Sequence, residues 1–382
     1  MFTQKLTFHN KTFRIMQIAD TQESVKVNPD TVRLISLAVK KAKPDLIVFT
    51  GDQIHGLLPE YRAGDTVRKI ENTLGELLAP VEEAGIPFAV TFGNHDCQCG
   101  VSNAEQAEIY AEYPHYVGGD YFSDTDKGSY FVPLYNENGE KIFNVCLFDS
   151  NGQSPTGEYM PVKEEQLSRY EERCADEKKE LGKILPQLVF QHIPVPEYYD
   201  VIKRVKFGTK GAVEAFRVRK HQYYVLPEQI TAKGGFMLES PAVPDRNSGE
   251  FEVLKKTGAA LALSVGHDHN NSFVAEKDGI KLIYTQGAGF NVYGPHLKRG
   301  VRLFELDEND LSTFETRTLT YEQLTNDRLS RPVKEFVLTH IPTSMEQVKR
   351  LAVIAMGLGA ISAAAAYRIY KNSEFGIRNS EK

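Results

Sequence analysis

Five times along this chain, a short apolar run of strand length leads directly into residues that can hold a metal ion. Residues 15–19 precede Asp20-Thr21-Gln22, and residues 46–50 precede Gly51-Asp52-Gln53-Ile54-His55. Residues 88–92 precede Gly93-Asn94-His95-Asp96, residues 188–191 precede His192, and residues 261–265 precede Gly266-His267-Asp268-His269. In open α/β sheets, sites form in the crevice beyond the carboxyl ends of the strands. A fold that aligns these strands therefore gathers two Asp, one Asn and up to five His at one edge. Glycine before Asp52, Asn94 and His267 permits sharp turns and close backbone approach. Imidazole and carboxylate ligands suit Zn, Fe or Mn without any thiolate. A shared carboxylate can bridge two ions about 3.5–4 Å apart, the separation used by two-metal hydrolases.

Between these runs the pattern is that of an α/β chain. Strands are predicted over residues 12–19, 45–50, 86–92, 142–148, 187–191, 260–265, 281–285 and 301–306. Helices are predicted over residues 28–43, with Asn28 as N-cap and Pro29 in the first turn, and over 66–84, 104–112 and 163–183. Residues 198–250 lack strong periodicity and are rich in Lys, Arg and Tyr, which reads as an insertion or lid over one face. Its cluster Arg217, Arg219, Lys220 and His221 reads either as a solvated face or as a clamp for a substrate phosphate. Asp149-Ser150-Asn151, Asn270, Asn271 and His296 read as turn scaffold or as support for the site.

Composition narrows the classes. The 382 residues include 45 Lys+Arg against 51 Asp+Glu, a net charge of −6, so nothing electrostatic favours a nucleic-acid partner. With 41% hydrophobic and 25% charged residues, the chain is neither disordered nor a polytopic membrane protein. Its four cysteines are Cys97, Cys99, Cys146 and Cys174, and residues 1–10 have no apolar signal core. Both features favour free thiols in a reducing cytoplasm.

The motifs resemble those of the calcineurin-like metallophosphoesterase superfamily, whose pattern is D-x-H, G-D-x-x, G-N-H-D/E, a lone His, and G-H-x-H. Four of the five blocks stand in order between Asp20 and His269. The runs Gln191-His192-Ile193-Pro194 and Gly266 to Asn271 are most similar to the purple-acid-phosphatase-like branch. The resemblance implies an α/β (α+β) fold, a four-layer αββα sandwich of two mixed β-sheets flanked by helices. It implies two metal ions of Mn, Fe or Zn type, the first held by Asp20, Asp52 and His269. The second would be held by Asp52, Asn94, His192 and His267, with Asp52 bridging. His95 would contact the phosphate or leaving group from outside the metal shell, and Asp96 would orient it. One block departs from the pattern, because Gln22 stands where D-x-H has its histidine. His55, at the position of the purple-acid-phosphatase tyrosine, is the expected replacement ligand.

The implied activity is hydrolysis of a phosphoester through a dinuclear site and a metal-bound hydroxide. The alternatives are a phosphodiesterase or nuclease on the same fold, and a degenerate metal-binding scaffold. The catalytic domain is expected over residues 1–320, followed by a helical extension over 321–382. Within the extension, residues 351–367 form a stretch of 17 residues without charge, flanked by Lys349, Arg350, Arg368 and Lys371. As a helix it would be about 26 Å long, at the lower limit for spanning a bilayer. Ala355, Gly359 and Ala363 repeat every four residues, a spacing that lets helices pack closely. A membrane anchor, a helix docked on the catalytic domain and a self-association helix all remain open from sequence.

Overall fold

A computed structural model describes residues 5–340. The stretch 351–367 therefore lies outside the described residues. The described residues up to Thr339 form one compact unit, past the expected boundary at 320. Residues beyond 320 are tied into it. Ser330 donates to Asp30 through its backbone N–H at 2.7 Å and its hydroxyl at 3.0 Å. Glu335 accepts from the buried guanidinium of Arg299 at 2.9 Å.

Two mixed sheets face each other. The smaller has the order Asp310–Thr320, Gly300–Asp307, Thr12–Ile18, Leu46–Thr50, Phe88–Thr91. The larger runs Leu6–Thr7, Tyr130–Tyr135, Lys141–Leu147, Gln187–Phe190, Ala260–Val265, Ile280–Tyr284, Asn271–Lys277, Phe236–Met237, with Asp120–Tyr121 added beside Tyr130–Tyr135. The strands ending at Ile18, Thr50 and Thr91 are parallel neighbours, as are those ending at Leu147, Phe190, Val265 and Tyr284. That shared direction brings their carboxyl ends to one edge.

Side-chain alternation with period two builds the layers. Phe13 and Ile15, Leu46 and Val48 point into the core between the sheets, with Val145, Leu188, Ala262, Ile283 and Phe304. Met16, Ile18, Ile47 and Phe49 point the other way, against Leu34, Ile35, Leu74 and Leu77. Those four belong to helices Pro29–Ala42 and Thr66–Glu83. Leu263 and Val265 face outward from the larger sheet, in a cluster with Leu167 and Tyr170 of helix Glu164–Leu181 and Leu254 of helix Glu250–Thr257. Each large apolar side chain buried in this way contributes about 1.5–3 kcal/mol. The expected αββα order is thus present.

The cap expected at Asn28 forms: its side chain accepts from the Asp30 N–H at 3.0 Å, with Pro29 in the first turn. The insertion carries its own sheet of Lys203–Val205, Val213–Glu214 and Tyr223–Val225, while Phe236–Met237 pairs with Asn271–Lys277. It is therefore joined to the larger sheet by strand pairing.

Glu250 leads to a test. Its carboxyl is buried, accepts one hydrogen bond of 3.4 Å from Gln191, and leaves Oε1 without a partner. Burial pushes its pKa up from 4.5 to about 8. Between those values the folded chain keeps a proton that the unfolded chain releases, so stability falls as pH rises through that window. Glu250→Gln should change stability little at pH 5 and raise it by on the order of 1–3 kcal/mol at pH 8. Urea unfolding at the two pH values measures this, and an equal effect at both would contradict it.

Candidate metal centre

The site begins where the core between the sheets turns polar. Gln17 and Ser264 continue the faces that Ile15 and Ala262 line farther down their strands. Ser264 and Thr285 donate to Gln17 Oε1 at 2.6 and 2.7 Å, and Gln17 Nε2 donates to Thr50 Oγ1 at 3.0 Å. This network forms a floor tying together strands of both sheets.

Above it the backbone turns sharply. Asp20, Asp52 and His267 have φ values of +54°, +53° and +74°. Such left-handed conformations cost non-glycine residues about 1–3 kcal/mol each and persist where surrounding bonds over-determine them. Here the bonds run between loops. Both Asp20 carboxylate oxygens accept from the His267 N–H, at 3.0 and 3.1 Å, and Asp52 Oδ1 accepts from the His95 N–H at 2.7 Å. The carboxylates reach these positions because two glycines have no side chain. A Cβ on Gly93 would lie 2.2 Å from Asp52 Oδ1, and one on Gly266 would lie 2.6 Å from Asp20 Oδ2.

Two groups of donor atoms result, Asp52/His192/His267 and Asp20/Asp52/His269, each spanning no more than 4.8 Å. All five residues are buried, and Asp52 belongs to both groups. His192 Nδ1 donates to the Thr50 carbonyl at 2.9 Å, which turns Nε2 inward, 3.2 Å from Asp52 Oδ2 and 3.2 Å from Asn94 Oδ1. His267 Nδ1 lies 3.2 Å from His192 Nε2, while His267 Nε2 is buried without a partner. His269 Nδ1 donates to the Tyr293 carbonyl at 2.9 Å, so its Nε2 faces Asp20 Oδ1 at 3.4 Å. Facing acceptors and an unpartnered buried nitrogen are what a cation would satisfy. The residues fit a pair of metal ions.

A proton on His192 supplies the positive charge that the Asp20 and Asp52 carboxylates attract, and a metal ion bound there would displace it. Burial disfavours charge on both His192 and Asp52, yet their mutual attraction prevails. His192 is pushed up to about 10, chiefly by Asp52, and the Asp52 carboxyl is held far below its usual range by His192 and His95. Burial and the neighbouring His192 hold His267 well below its ordinary value, in the neutral form a metal requires.

One expected role changes. Asp96 does not orient His95. Its Oδ2 accepts from the backbone N–H groups of Asp52 and Gly93 at 2.8 and 2.7 Å, and its Oδ1 from those of Gln53 and Ile54 at 2.8 and 3.2 Å. Burial and the Asp52 charge push its carboxyl up, against these bonds. His55 is in neither donor group, and its buried Nδ1 has no hydrogen-bond partner. Its backbone N–H is fixed to the Glu23 carbonyl at 2.9 Å, and its ring lies flat on that of His95, 4.8 Å between centroids. From the Gln22 side, Asp52 Oδ2 instead receives the Gln22 amide at 2.7 Å.

Other candidates resolve as scaffold. Asn271 accepts from the Leu238 N–H at 3.1 Å, Asn151 donates to Gln166 at 2.8 Å, and His296 pairs with Glu335 at 2.8 Å. Arg217 is engaged by Asp245 at 3.1 Å and by the Gly157 carbonyl at 2.8 Å. Sequence reading missed Tyr293, stacked 4.3 Å from His269, and Tyr159, edge-on to His267 at 4.4 Å. Both come from loops with no metal-binding motif, so only the folded arrangement reveals them.

A profile of calcineurin-like phosphoesterases matches residues 13–271. The chain belongs to the calcineurin-like phosphoesterase family. Among curated relatives, "Probable inactive purple acid phosphatase 14" of Arabidopsis thaliana is 26% identical over 291 residues, 69% of this chain and 63% of that protein. "Probable inactive purple acid phosphatase 29" of the same plant is 25% identical, covering 76% of each chain. The phosphatase DCR2 of Saccharomyces cerevisiae is 26% identical over 78% of this chain and 52% of its own length. The chain thus spans less than two thirds of the first relative's length and about half of the yeast protein's. A dimetal phosphatase from Danio rerio aligns with a TM-score of 0.49 at 14% identity, over 81% of this chain and 99% of that one.

The Asp96 bonds generate a prediction. Asp96→Asn keeps the shape but offers one oxygen to four N–H donors and turns an NH2 group toward the other two. Leaving two buried donors unpaired should cost about 2–4 kcal/mol. Chemical denaturation measures this, and wild-type stability would show that the four bonds do not hold the loops.

Proposed function

We propose that this chain is an active metal-dependent phosphoesterase. The observation that carries the reading is the position of Asp52, shared between two groups of three buried ligands. Asp52, Asn94, His192 and His267 would hold one ion, and Asp20, Asp52 and His269 the other. When bound, such a pair polarises a phosphoryl oxygen and lowers the pKa of water. The chain's own residues do the rest. Asp20 and Asp52 fix the ligand loops through backbone N–H groups, and His192 and His269 are aimed by the carbonyls of Thr50 and Tyr293. His95 is half-buried, with Nε2 4.0 Å from Asp52 Oδ2 and its side chain 22% exposed. It stands between the centre and solvent, where a bound phosphoester would meet it. As the phosphorus–oxygen bond breaks, a protonated His95 Nε2 would give its proton to the departing oxygen.

The names of the two plant relatives above contain the word inactive, which is said of those proteins. Here the departure at Gln22 affects one side of one ion, and the other family ligands are present. The reading predicts hydrolysis of p-nitrophenyl phosphate or its bis ester with Mn²⁺ or Zn²⁺, abolished by chelator. The ratio of the two rates separates a monoesterase from a diesterase. Asp52→Asn should lower kcat by about 10³-fold or more and reduce the bound metal. His95→Ala should lower kcat by about 10²–10⁴-fold while both ions stay bound. Protein carrying two ions that hydrolyses neither ester would favour the scaffold reading.

A further inference from the structure

With Asp96 engaged by four backbone N–H groups, something else must hold His95. We infer that Gln98 is the positioning residue for His95: it accepts the Nδ1–H and turns Nε2 toward the metal centre, so that the proton His95 gives up leaves from Nε2 and the Nδ1–H tautomer remains. The inference rests on the reading of His95 as the group that meets the phosphoester.

Local geometry makes the contact. Residues Asp96–Cys99 form a 3₁₀ turn with His95 as its N-cap. In a 3₁₀ turn, side chains three residues apart eclipse, so those of His95 and Gln98 fall on one side. His95 Nδ1 lies 2.6 Å from Gln98 Oε1.

The direction of this bond follows from a chain of partners. The Gly157 carbonyl can only accept, and it receives Gln153 Nε2 at 2.9 Å. Gln153 Oε1 therefore faces Gln98, whose Nε2 donates to it at 3.4 Å. That leaves Gln98 Oε1 facing His95, and an amide oxygen can only accept, so the proton sits on Nδ1. The Gly157 carbonyl also receives Arg217 Nη1 at 2.8 Å, and Arg217 Nε donates to Asp245 at 3.1 Å. The aim of His95 is thus braced as far as the insertion. On the opposite side, the flat contact of the His55 ring keeps the imidazole from tilting away.

Sequence reading assigned this role to the adjacent carboxylate. An uncharged amide does the same aiming without adding a negative charge beside the phosphate site. The role differs from that of a metal ligand: loss of Gln98 should change the proton and direction of His95, not the ion content.

The test uses the full chain and two readouts. In ¹⁵N-edited NMR of the metal-free protein, His95 should carry its proton on Nδ1. Gln98→Leu, which keeps the size and removes the acceptor, should move that proton to Nε2, and Gln98→Glu should retain the wild-type tautomer. With Mn²⁺, Gln98→Leu should lower kcat on glycerol 2-phosphate, a poor leaving group, by about 10–100-fold. On p-nitrophenyl phosphate, whose leaving group needs no proton, the loss should be about threefold or less, with KM and bound metal unchanged. Gln98→Glu should recover most of the rate. In a His95→Ala background, Gln98→Leu should add no further loss, the signature of a residue acting through His95. An unchanged tautomer in Gln98→Leu, or equal losses on both substrates, would overturn the inference. Correct tautomers in a wild-type protein that hydrolyses neither substrate would support the positioning role and refute the proposed activity instead.

Discussion

One buried carboxylate, Asp96, holds two loops at the distance on which the centre depends. Its four backbone bonds fasten the turn after strand Leu46–Thr50 to the turn after Phe88–Thr91. Only in that arrangement does Asp52 sit over Gly93, with Oδ1 on the His95 N–H and Oδ2 free to face His192 and Gln22. A second pair of loops repeats the device, with Asp20 seated over Gly266 and bonded to the His267 N–H. In each pair a glycine without a side chain meets a carboxylate from another strand, and bonds across the gap hold left-handed backbone in place. The strain at Asp20, Asp52 and His267 is therefore maintained by the loops themselves.

The floor beneath explains why these loops share one frame. Gln17, Thr50, Ser264 and Thr285 belong to strands or strand ends of both sheets and are joined by short hydrogen bonds. Lower down, the same faces are purely apolar. The change from an apolar to a polar core occurs two or three residues before Asp20, Asp52 and His267, so the rigid part of the sandwich extends directly into the site. Rigid support of this kind keeps ligand atoms close enough to share two ions.

Much of this was legible in the sequence, for a physical reason. Buried strands such as 46–50 and 260–265 are continuous apolar runs, and the residues after them are polar because they face a crevice. Their ligand chemistry depends on residue type and order, which sequence preserves. Strand Asp310–Thr320 was missed because it is an edge strand rich in Thr and charged residues, with most of its side chains outside the core. Strand Tyr130–Tyr135 was obscured by Pro133, and Asn271–Lys277 by its polar ends. The roles of Asp96 and Gln98 were not legible at all. Whether a carboxylate aims a neighbouring ring or collects backbone N–H groups depends on the path of a turn, and motif spacing does not record that path. Gln98 belongs to no motif, and its signal is only the three-residue offset from His95 in a 3₁₀ turn.

The central claim is that Asp52 joins two metal sites into one centre. Anomalous diffraction from crystals of the Mn²⁺-loaded protein tests it most directly. The account predicts two peaks about 3.5–4 Å apart, one beside His192 and His267 and the other beside Asp20 and His269, both contacting the Asp52 carboxylate. A single peak, or two ions that do not share Asp52, would contradict it.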